Sequence, residues 1–530
     1  MFKQIINKIS SKKVLLLSIL VFILAFVVRV YGISLKQDMF VDETFSTQIS
    51  NYNQYYSGIS VPLDGNQILT GEEIKQEIMG LNPSVKDVIS DVVALHKFTR
   101  DTPHSNLYYS LYRVWFLGYG KFELKKFITH GCTLNLVFFA VSFYYMHKLL
   151  KKLFHKESLL VPFGLFCAYL NTASISTTLF IREYALQECL FVALTYYVLK
   201  YYEFIGQKTT TYGIKDVVKL ALVVSLTFLS GYYSTVLILL YAGLLIWRAL
   251  CLKDLSFLRF LFATAVATIY TIFLLYPGVI AVFTSYRTVE TGNKILEFTN
   301  LKDSILYGLL ITIKYFYCIP VIIMLAYWLK KIKKGNLTSN AQPGFNKIYI
   351  CLLIWFGCIL FISIYKLLRY VMPVTPLLML IFPYVASFLP KRKTYITILT
   401  CIYCLNLFLA FSSYWGMNIR GYVPFAAKID FITNYNHQNF LFKKDTSLPV
   451  FIIQDGLQGP TASYIFLEDK QKYYITNETP RVFPSRHFYT IRYIVDSFSK
   501  PAELSPIYQR IGEPKKCDDF YVCEEYVLKY

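Results

Sequence analysis

Residues 14–33 read VLLLSILVFILAFVVRVYGI, an apolar run long enough to cross a hydrocarbon core of about 30 Å as a helix. The basic stretch MFKQIINKISSKK precedes it, and no small-residue cleavage site follows, so an uncleaved first span is expected rather than a signal peptide. Arg29 and Tyr31, close to its end, read as an interfacial boundary. Just beyond, residues 40–50 read FVDETFSTQIS and carry an acidic pair, Asp42 and Glu43. A long polar segment separates this pair from the next apolar run.

Runs like the first recur along the chain. Of its 530 residues, 55% are hydrophobic and 18% aromatic, beyond the roughly 45–50% apolar content of soluble domains. Eleven spans are expected, near 14–33, 127–147, 159–178, 184–204, 216–231, 233–250, 258–276, 304–328, 347–365, 370–389 and 395–415. The implied fold class is an all-α polytopic membrane bundle.

Charge orients it. The net charge is +21, and residues 1–415 hold nearly all the excess, because residues 416–530 carry 14 basic against 13 acidic side chains. Every second loop is basic: Lys3 to Lys13, Lys148 to Lys156, Lys200 to Lys219, Arg248 to Arg259, Lys330 to Lys347, and Lys391 to Lys393. The loops between them are poor in Lys and Arg. This alternation places the N-terminus in the cytoplasm and the C-terminal tail outside. Basic residues scattered over short loops argue against nucleic-acid binding, which needs a clustered face. Nine of the eleven cysteines lie in apolar spans, where Cys serves as a small hydrophobe; Cys517 and Cys523 in the outward tail are placed to pair.

Three long segments then face outward. The first outer loop, about residues 34–126, holds the acidic pair and a stretch near 72–99 with helical periodicity, expected to form interfacial helices lying on the membrane. The second is the loop at about 277–303. The third is the tail, 416–530, with strand-like runs in LPVFIIQDGLQGP, KYYIT and FYTIRYIV, which read as a small α/β extracytoplasmic domain. The organisation is a transmembrane domain over 1–415 followed by this domain over 416–530.

Four stretches carry residues suited to chemistry. Asp42 and Glu43 put two carboxylates in water above the membrane, although an acidic pair at a helix start is also favoured by the helix dipole. RDTPHSNLYYSLYRVW, residues 100–115, offers Asp101 and His104 where the chain re-enters the bilayer. FIREYALQECL, residues 180–190, sets Arg182 and Glu183 at a span mouth and Glu188 inside the span, where charge is costly; Glu183 could equally pair with Arg182. IYKLLRYVMPVTP, residues 364–376, sets Lys366, Arg369 and Tyr370 before a proline-broken span, either to bind a lipid phosphate or to snorkel to headgroups. Arg287 and Lys294, with Tyr232 and Tyr233 of SGYYST, can line the same cavity.

The order and sidedness of these stretches resemble the membrane glycosyltransferases of the GT-C type, in the branch of protein O-mannosyltransferases and lipid A aminoarabinose transferases. The resemblance covers roughly residues 1–415 in layout. FVDETF matches the family's acidic pair in the first outer loop. DTPHSNLYY matches its D-x-H-P-P-L segment, with one extra residue before His104 and with Ser105 and Asn106 in place of the prolines. IREYALQE is similar to its arginine-bearing span mouth, and RYVMPVTP to its late R-Y-x-x-P-x-x-P.

The resemblance implies a sugar donor linked to a polyprenyl phosphate, used on the outer face; the richness in Tyr, Phe and Lys with few Ala points to an AT-rich bacterial source and so to an inner (plasma) membrane. Asp42 would act as the base on an acceptor hydroxyl, with inversion at the anomeric carbon. Glu43 would orient Asp42 or help hold a divalent metal with His104. Arg182 and Arg369, with Lys366 or Arg287, would clamp the phosphate. The glycan, lipid or protein acceptor is not legible. Two other classes stay open on the residues alone: a polytopic transporter or flippase, and a ligase or polymerase of surface polysaccharides.

Overall fold

The computed structural model describes residues 2–51, 63, 65, 67–99, 104–154, 159–207, 212–283, 301–316, 344–363, 368–389, 392–417, 429–432, 448–453, 464–465, 467–476, 485–493, 507–513, 515–516 and 521–529. The chain divides into two compact units. The membrane unit comprises 1–36, 102–108 and 132–432; the second comprises 37–101, 109–131 and 433–530.

Six helices among the described residues are long and apolar enough to cross a membrane: Lys12–Leu35, Leu124–Phe154, Ser234–Cys251, Leu255–Leu275, Phe345–Ile362 and Lys393–Trp415. A bent pair, Leu160–Tyr169 and Thr172–Leu179, makes a seventh if it is one span. Five of the eleven expected spans are not among these six: 184–204 and 216–231 form the helices Tyr184–Phe204 and Ile214–Leu229, and the other three stand as follows. The run at 159–178 breaks by 55° where the Asn171 side chain accepts the Ala173 N–H at 2.8 Å and starts a new helix. The run at 370–389 is cut by Pro373, Pro376 and Pro383 into short pieces, including Met372–Val374, Thr375–Leu378 and Ile381–Ala386. Residues 317–343, which hold the end of another expected span, lie outside the described set.

We label α1 Phe2–Leu35, α2 Val41–Ser50, α3 Gly71–Met79, α4 Val85–Lys97, α5 Leu107–Trp115, α6 Leu124–Phe154, α7 Leu160–Tyr169, α8 Thr172–Leu179, α9 Tyr184–Phe204, α10 Ile214–Leu229, α11 Ser234–Cys251 and α12 Leu255–Leu275. In the membrane unit α1 packs on α7 and α8, and α10 on α12. The outward sides are apolar: Leu16, Ile23 and Val27 on α1 and Phe262, Ile269 and Leu274 on α12 are exposed, as lipid contact requires.

Arg29, expected at the interface, is instead fully buried. Its Nε donates to Thr178 Oγ1 (3.0 Å), Nη2 to Ser174 Oγ (2.8 Å) and Nη1 to the Tyr169 carbonyl (2.9 Å), while its guanidinium lies 3.9 Å from the Phe139 ring centroid. Ser174 and Thr177 in turn donate to the two carboxylate oxygens of Glu188, each at 3.0 Å. The hydroxyl face of α8 therefore connects a buried cation on α1 to a buried anion on α9. Inside a bilayer such charges persist only with this kind of company.

The second unit is built on a sheet of β1 Gln67–Thr70, β2 Val450–Ile453, β3 Lys472–Thr476, β4 His487–Tyr493, β5 Tyr508–Arg510, β6 Lys515–Lys516 and β7 Tyr521–Leu528. The order is β1-β3-β2-β4-β7-β5, with β6 also on β7. The pairs β3–β2 and β2–β4 are parallel and the rest antiparallel. All four residues of β2 are buried, as expected of a central strand covered on both faces. Phe451 and Ile453 point to one face and pack with Phe488, Tyr508 and Tyr526. Cys523 of β7 is disulfide-bonded; Cys517, the partner expected from the sequence, lies outside the described residues.

The edge strand β1 comes from the first outer loop, some four hundred residues before its partner, with Gln67 opposite Ile475 and Thr70 opposite Lys472. Beside it the Gly71 N–H donates to the Gln471 carbonyl (3.0 Å), and Lys75 pairs with Asp469 at 2.7 Å. Thr70 caps α3, and Glu73 answers it by accepting from the Thr70 N–H at 2.7 Å. The stretch near 72–99 forms helices α3 and α4 as expected. Val85, Ile89 and Val93 make an exposed apolar stripe along α4, while Val88, Asp91 and Leu95 face inward.

Candidate active site

The acidic pair sits at the start of α2 and splits into two environments. Glu43 is fully buried and accepts the Phe40 N–H at 2.5 Å, while its own N–H donates to the Phe40 carbonyl at 2.8 Å. Its carboxylate therefore closes the helix N-terminus, where the dipole favours negative charge. Asp42, one position earlier, is only half-buried. The rest of α2 is locked into the second unit: Thr47 Oγ1 shares a 2.8 Å hydrogen bond with the Tyr112 hydroxyl, and Asn51 Nδ2 donates to the Gly80 carbonyl at 2.8 Å. Below Tyr112, Arg113 Nε meets Asp91 Oδ2 at 2.6 Å with both side chains enclosed, and Arg113 Nη2 donates to the Asn82 carbonyl at 2.7 Å.

A second cluster forms at a span mouth of the membrane unit. Helix α8 ends at Leu179, Phe180 turns to extended backbone, and the Arg182 N–H folds back onto the Phe180 carbonyl at 2.7 Å. This tight turn presents Arg182 and Glu183 just before α9. Arg182 Nε lies 3.3 Å from Glu183 Oε2, and Arg182 Nη2 lies 3.2 Å from His104 Nε2. A guanidinium can only donate, so His104 Nε2 is the acceptor and the imidazole proton sits on Nδ1. That nitrogen faces Glu183 Oε1 at 3.7 Å. Burial alone would push the Glu183 carboxyl up; the Arg182 guanidinium foremost, with Arg369, outweighs it and holds the carboxyl below the usual carboxylate range.

The segment carrying His104 is anchored from beneath. Ser105 Oγ donates to the Leu229 carbonyl at the end of α10, and Asn106 Nδ2 to the Leu275 carbonyl at the end of α12 at 2.9 Å. Helix ends leave such carbonyls unsatisfied. The two residues that stand where the resembled motif has prolines are thus the ones that fix this re-entry point. Aromatic rings enclose the mouth. Tyr370 meets Tyr233 edge-on at 5.4 Å and lies 6.5 Å from Tyr184, while Phe180 stacks on Tyr184 at 5.5 Å and on Phe431 at 3.9 Å. Of the two tyrosines in SGYYST, Tyr233 reaches this ring set; Tyr232 instead packs with Phe228, Leu229 and Tyr276.

The structure thus brings Arg182, Glu183, His104 and Arg369 into one electrostatic neighbourhood. Asp101, Arg287 and Lys366 lie outside the described residues. Among the described residues, no group of three or more His, Cys, Asp or Glu side chains is arranged to hold a metal ion. Ser105 and Asn106, legible in the sequence only as a departure from the proline motif, serve here as anchors, and a residue with no motif to mark it, Asn135 on α6, lies beside the turn. A lone amide in an apolar run was the available signal for Asn135.

The helices and sheet define an integral membrane protein of the helical-bundle kind carrying a small mixed sheet. Among solved structures, the chain is similar to ArnT from Cupriavidus metallidurans bound to undecaprenyl phosphate, with a TM-score of 0.43 at 13% identity over 96% of this chain and 97% of that one. The apo crystal structure of the same protein gives a TM-score of 0.39 at 13% identity over the same shares. No protein-family model matches the sequence, and no curated protein does.

Proposed function

We propose that the chain is a membrane glycosyltransferase of the GT-C kind. It would move a sugar from a polyprenyl-phosphate carrier to an acceptor hydroxyl or phosphate on the outer face, with inversion. The observation that carries this reading is the Arg182–His104–Glu183 cluster with Arg369 beside it. A planar guanidinium fork at a span mouth suits a lipid phosphate, bound where its tail can stay in hydrocarbon. The phosphate is the leaving group, so donors preorganised around it stabilise the charge that develops as the glycosidic bond breaks. Lys366 and Arg287 are proposed to extend the clamp, and Asp101 and Tyr370 to line the substrate path; Tyr232, packed against Phe228 and Tyr276, is left out of it.

Asp42 is proposed as the general base on the acceptor, and the two environments of the acidic pair support dividing their roles. Glu43 is occupied in holding the N-terminus of α2, which fixes the helix turn that presents Asp42. Asp42 keeps solvent access. The N-terminus is placed in the cytoplasm and the sheet-bearing unit outside, on the alternation of basic loops.

The test is Asp42→Asn, which keeps the shape and removes the base. Transfer from a polyprenyl-phosphate sugar by the purified, reconstituted protein should fall by about 10²–10⁴-fold, while membrane insertion is unchanged. Transfer that survives this substitution removes Asp42 from the mechanism.

A further inference from the structure

We infer that Asn135 is a positioning residue that sets the Arg182 guanidinium and the His104 imidazole in register for the carrier phosphate; the inference rests on the functional reading above. Asn135 is fully buried on α6. Its Nδ2 donates to the Phe180 carbonyl at 2.7 Å and to the Thr178 carbonyl at 3.2 Å. Its Oδ1 accepts from the Tyr108 hydroxyl at 3.4 Å. The Phe180 carbonyl is the same atom onto which the Arg182 N–H folds. Tyr108 stands one turn beyond His104 on the other segment. One amide therefore grips both stretches of chain whose side chains meet at 3.2 Å in the Arg182–His104 contact.

The physical need is local. The last carbonyls of α8 have no partner within their own helix, and Thr178 and Phe180 are enclosed, so water does not serve them. Asn135 supplies two donors from a neighbouring helix. Its spare oxygen then holds the His104 segment, so the amide sets position as well as satisfying polarity. Without it the turn at 180–183 can shift by a fraction of an ångström, and a displacement near 1 Å takes an Arg–His contact out of hydrogen-bond range. Beside it, Cys132 Sγ donates to the Leu179 carbonyl at 3.6 Å, a contact weaker than an amide N–H hydrogen bond.

The experiment measures binding of a long-chain polyprenyl monophosphate to the full-length protein in detergent, with melting temperature recorded for each variant. Asn135→Ala should raise Kd by about tenfold or more. In the Arg182→Ala background, the same change should add little, because the residue it positions is gone. Ser142→Ala, on the same helix as Asn135, is the control: it removes a buried 2.7 Å bond to Tyr169 of α7 and should lower melting temperature without moving Kd. If Asn135→Ala does not fold, Tyr108→Phe releases one arm of the grip and should raise Kd in the same direction by a smaller factor. The inference is overturned if Asn135→Ala or the folded Tyr108→Phe binds as the unmodified protein does. It is also overturned if the Asn135→Ala loss multiplies independently of Arg182. If Arg182→Ala itself binds normally, the functional reading falls and this inference with it; if Arg182→Ala loses binding and Asn135→Ala does not, only the inference falls.

Discussion

Asp91→Ala is the substitution whose consequence can be followed furthest. Asp91 and Arg113 are enclosed to within 1% of their side-chain surface, and their Nε–Oδ2 distance is 2.6 Å. Arg113 Nη1 has no hydrogen-bond partner among the described residues, so after the change the guanidinium keeps only the Asn82 carbonyl. Removing one member of a buried pair strands the other charge and costs about 3–5 kcal/mol. With a single bond left to Arg113, the upper half of that range is expected. For a unit of this size each kcal/mol lowers Tm by about 2–4 °C, so the sheet-bearing unit should melt some 8–20 °C earlier. The assay is thermal unfolding of the purified protein, followed by protease nicking within residues 37–101. Asp91→Leu combined with Arg113→Leu should recover most of the loss, because it removes the stranded charge together with its partner. A single mutant that melts within a degree of the parent, or a double mutant no better than the single, refutes the reasoning.

Other consequences are smaller or more local. Gly71→Ala would set a Cβ 2.2 Å from the Glu468 carbonyl oxygen, so the seam between β1 and the tail must open; a loss of about 1–3 kcal/mol in chemical denaturation is expected, with faster exchange of the Gly71 and Glu72 amides. Glu183, with its carboxyl held low by the surrounding cations, stabilises the fold above its unfolded value near 4.3, and this contribution is lost as pH falls through the folded value. Glu183→Gln should therefore flatten the acid limb of stability below about pH 4.3, as read by melting temperature against pH. A fluorophore on Ile89→Cys, from the exposed stripe of α4, should be quenched by lipid-borne quenchers if α4 lies on the bilayer, and by aqueous iodide if it does not.

How much of this was legible in the sequence depends on how local the signal is. The long apolar runs announced spans such as Phe345–Ile362, because a mostly apolar run of 18 residues needs no partner to be recognised. Prolines 373, 376 and 383 foretold the broken run, and KYYIT and the VFII of LPVFIIQDGLQGP formed their strands. Arg182, Glu183 and His104 were visible as charged groups at mouths, and they meet. Arg29 misled because its partners Ser174, Thr178 and Glu188 come from more than 140 residues away; alone, an arginine near the end of a span looks interfacial. The strand QILT was hidden for the same reason, since nothing in four residues names a partner at 472–475. The bend at Asn171 was readable, as an Asn followed by Thr is a helix-start signal, but the continuing apolar composition outweighed it.

On the proposed function, a sugar leaves a polyprenyl phosphate at the mouth that carries Arg182. The most direct measurement places the purified protein in vesicles with a polyprenyl-phosphate carrier bearing a labelled sugar, supplies envelope extract as acceptor, and follows carrier and label separately. Free polyprenyl monophosphate should appear in step with label on an acceptor, and Arg182→Ala should stop both. Label that crosses the bilayer still attached to its carrier, with no monophosphate released, would instead mark the chain as a transporter.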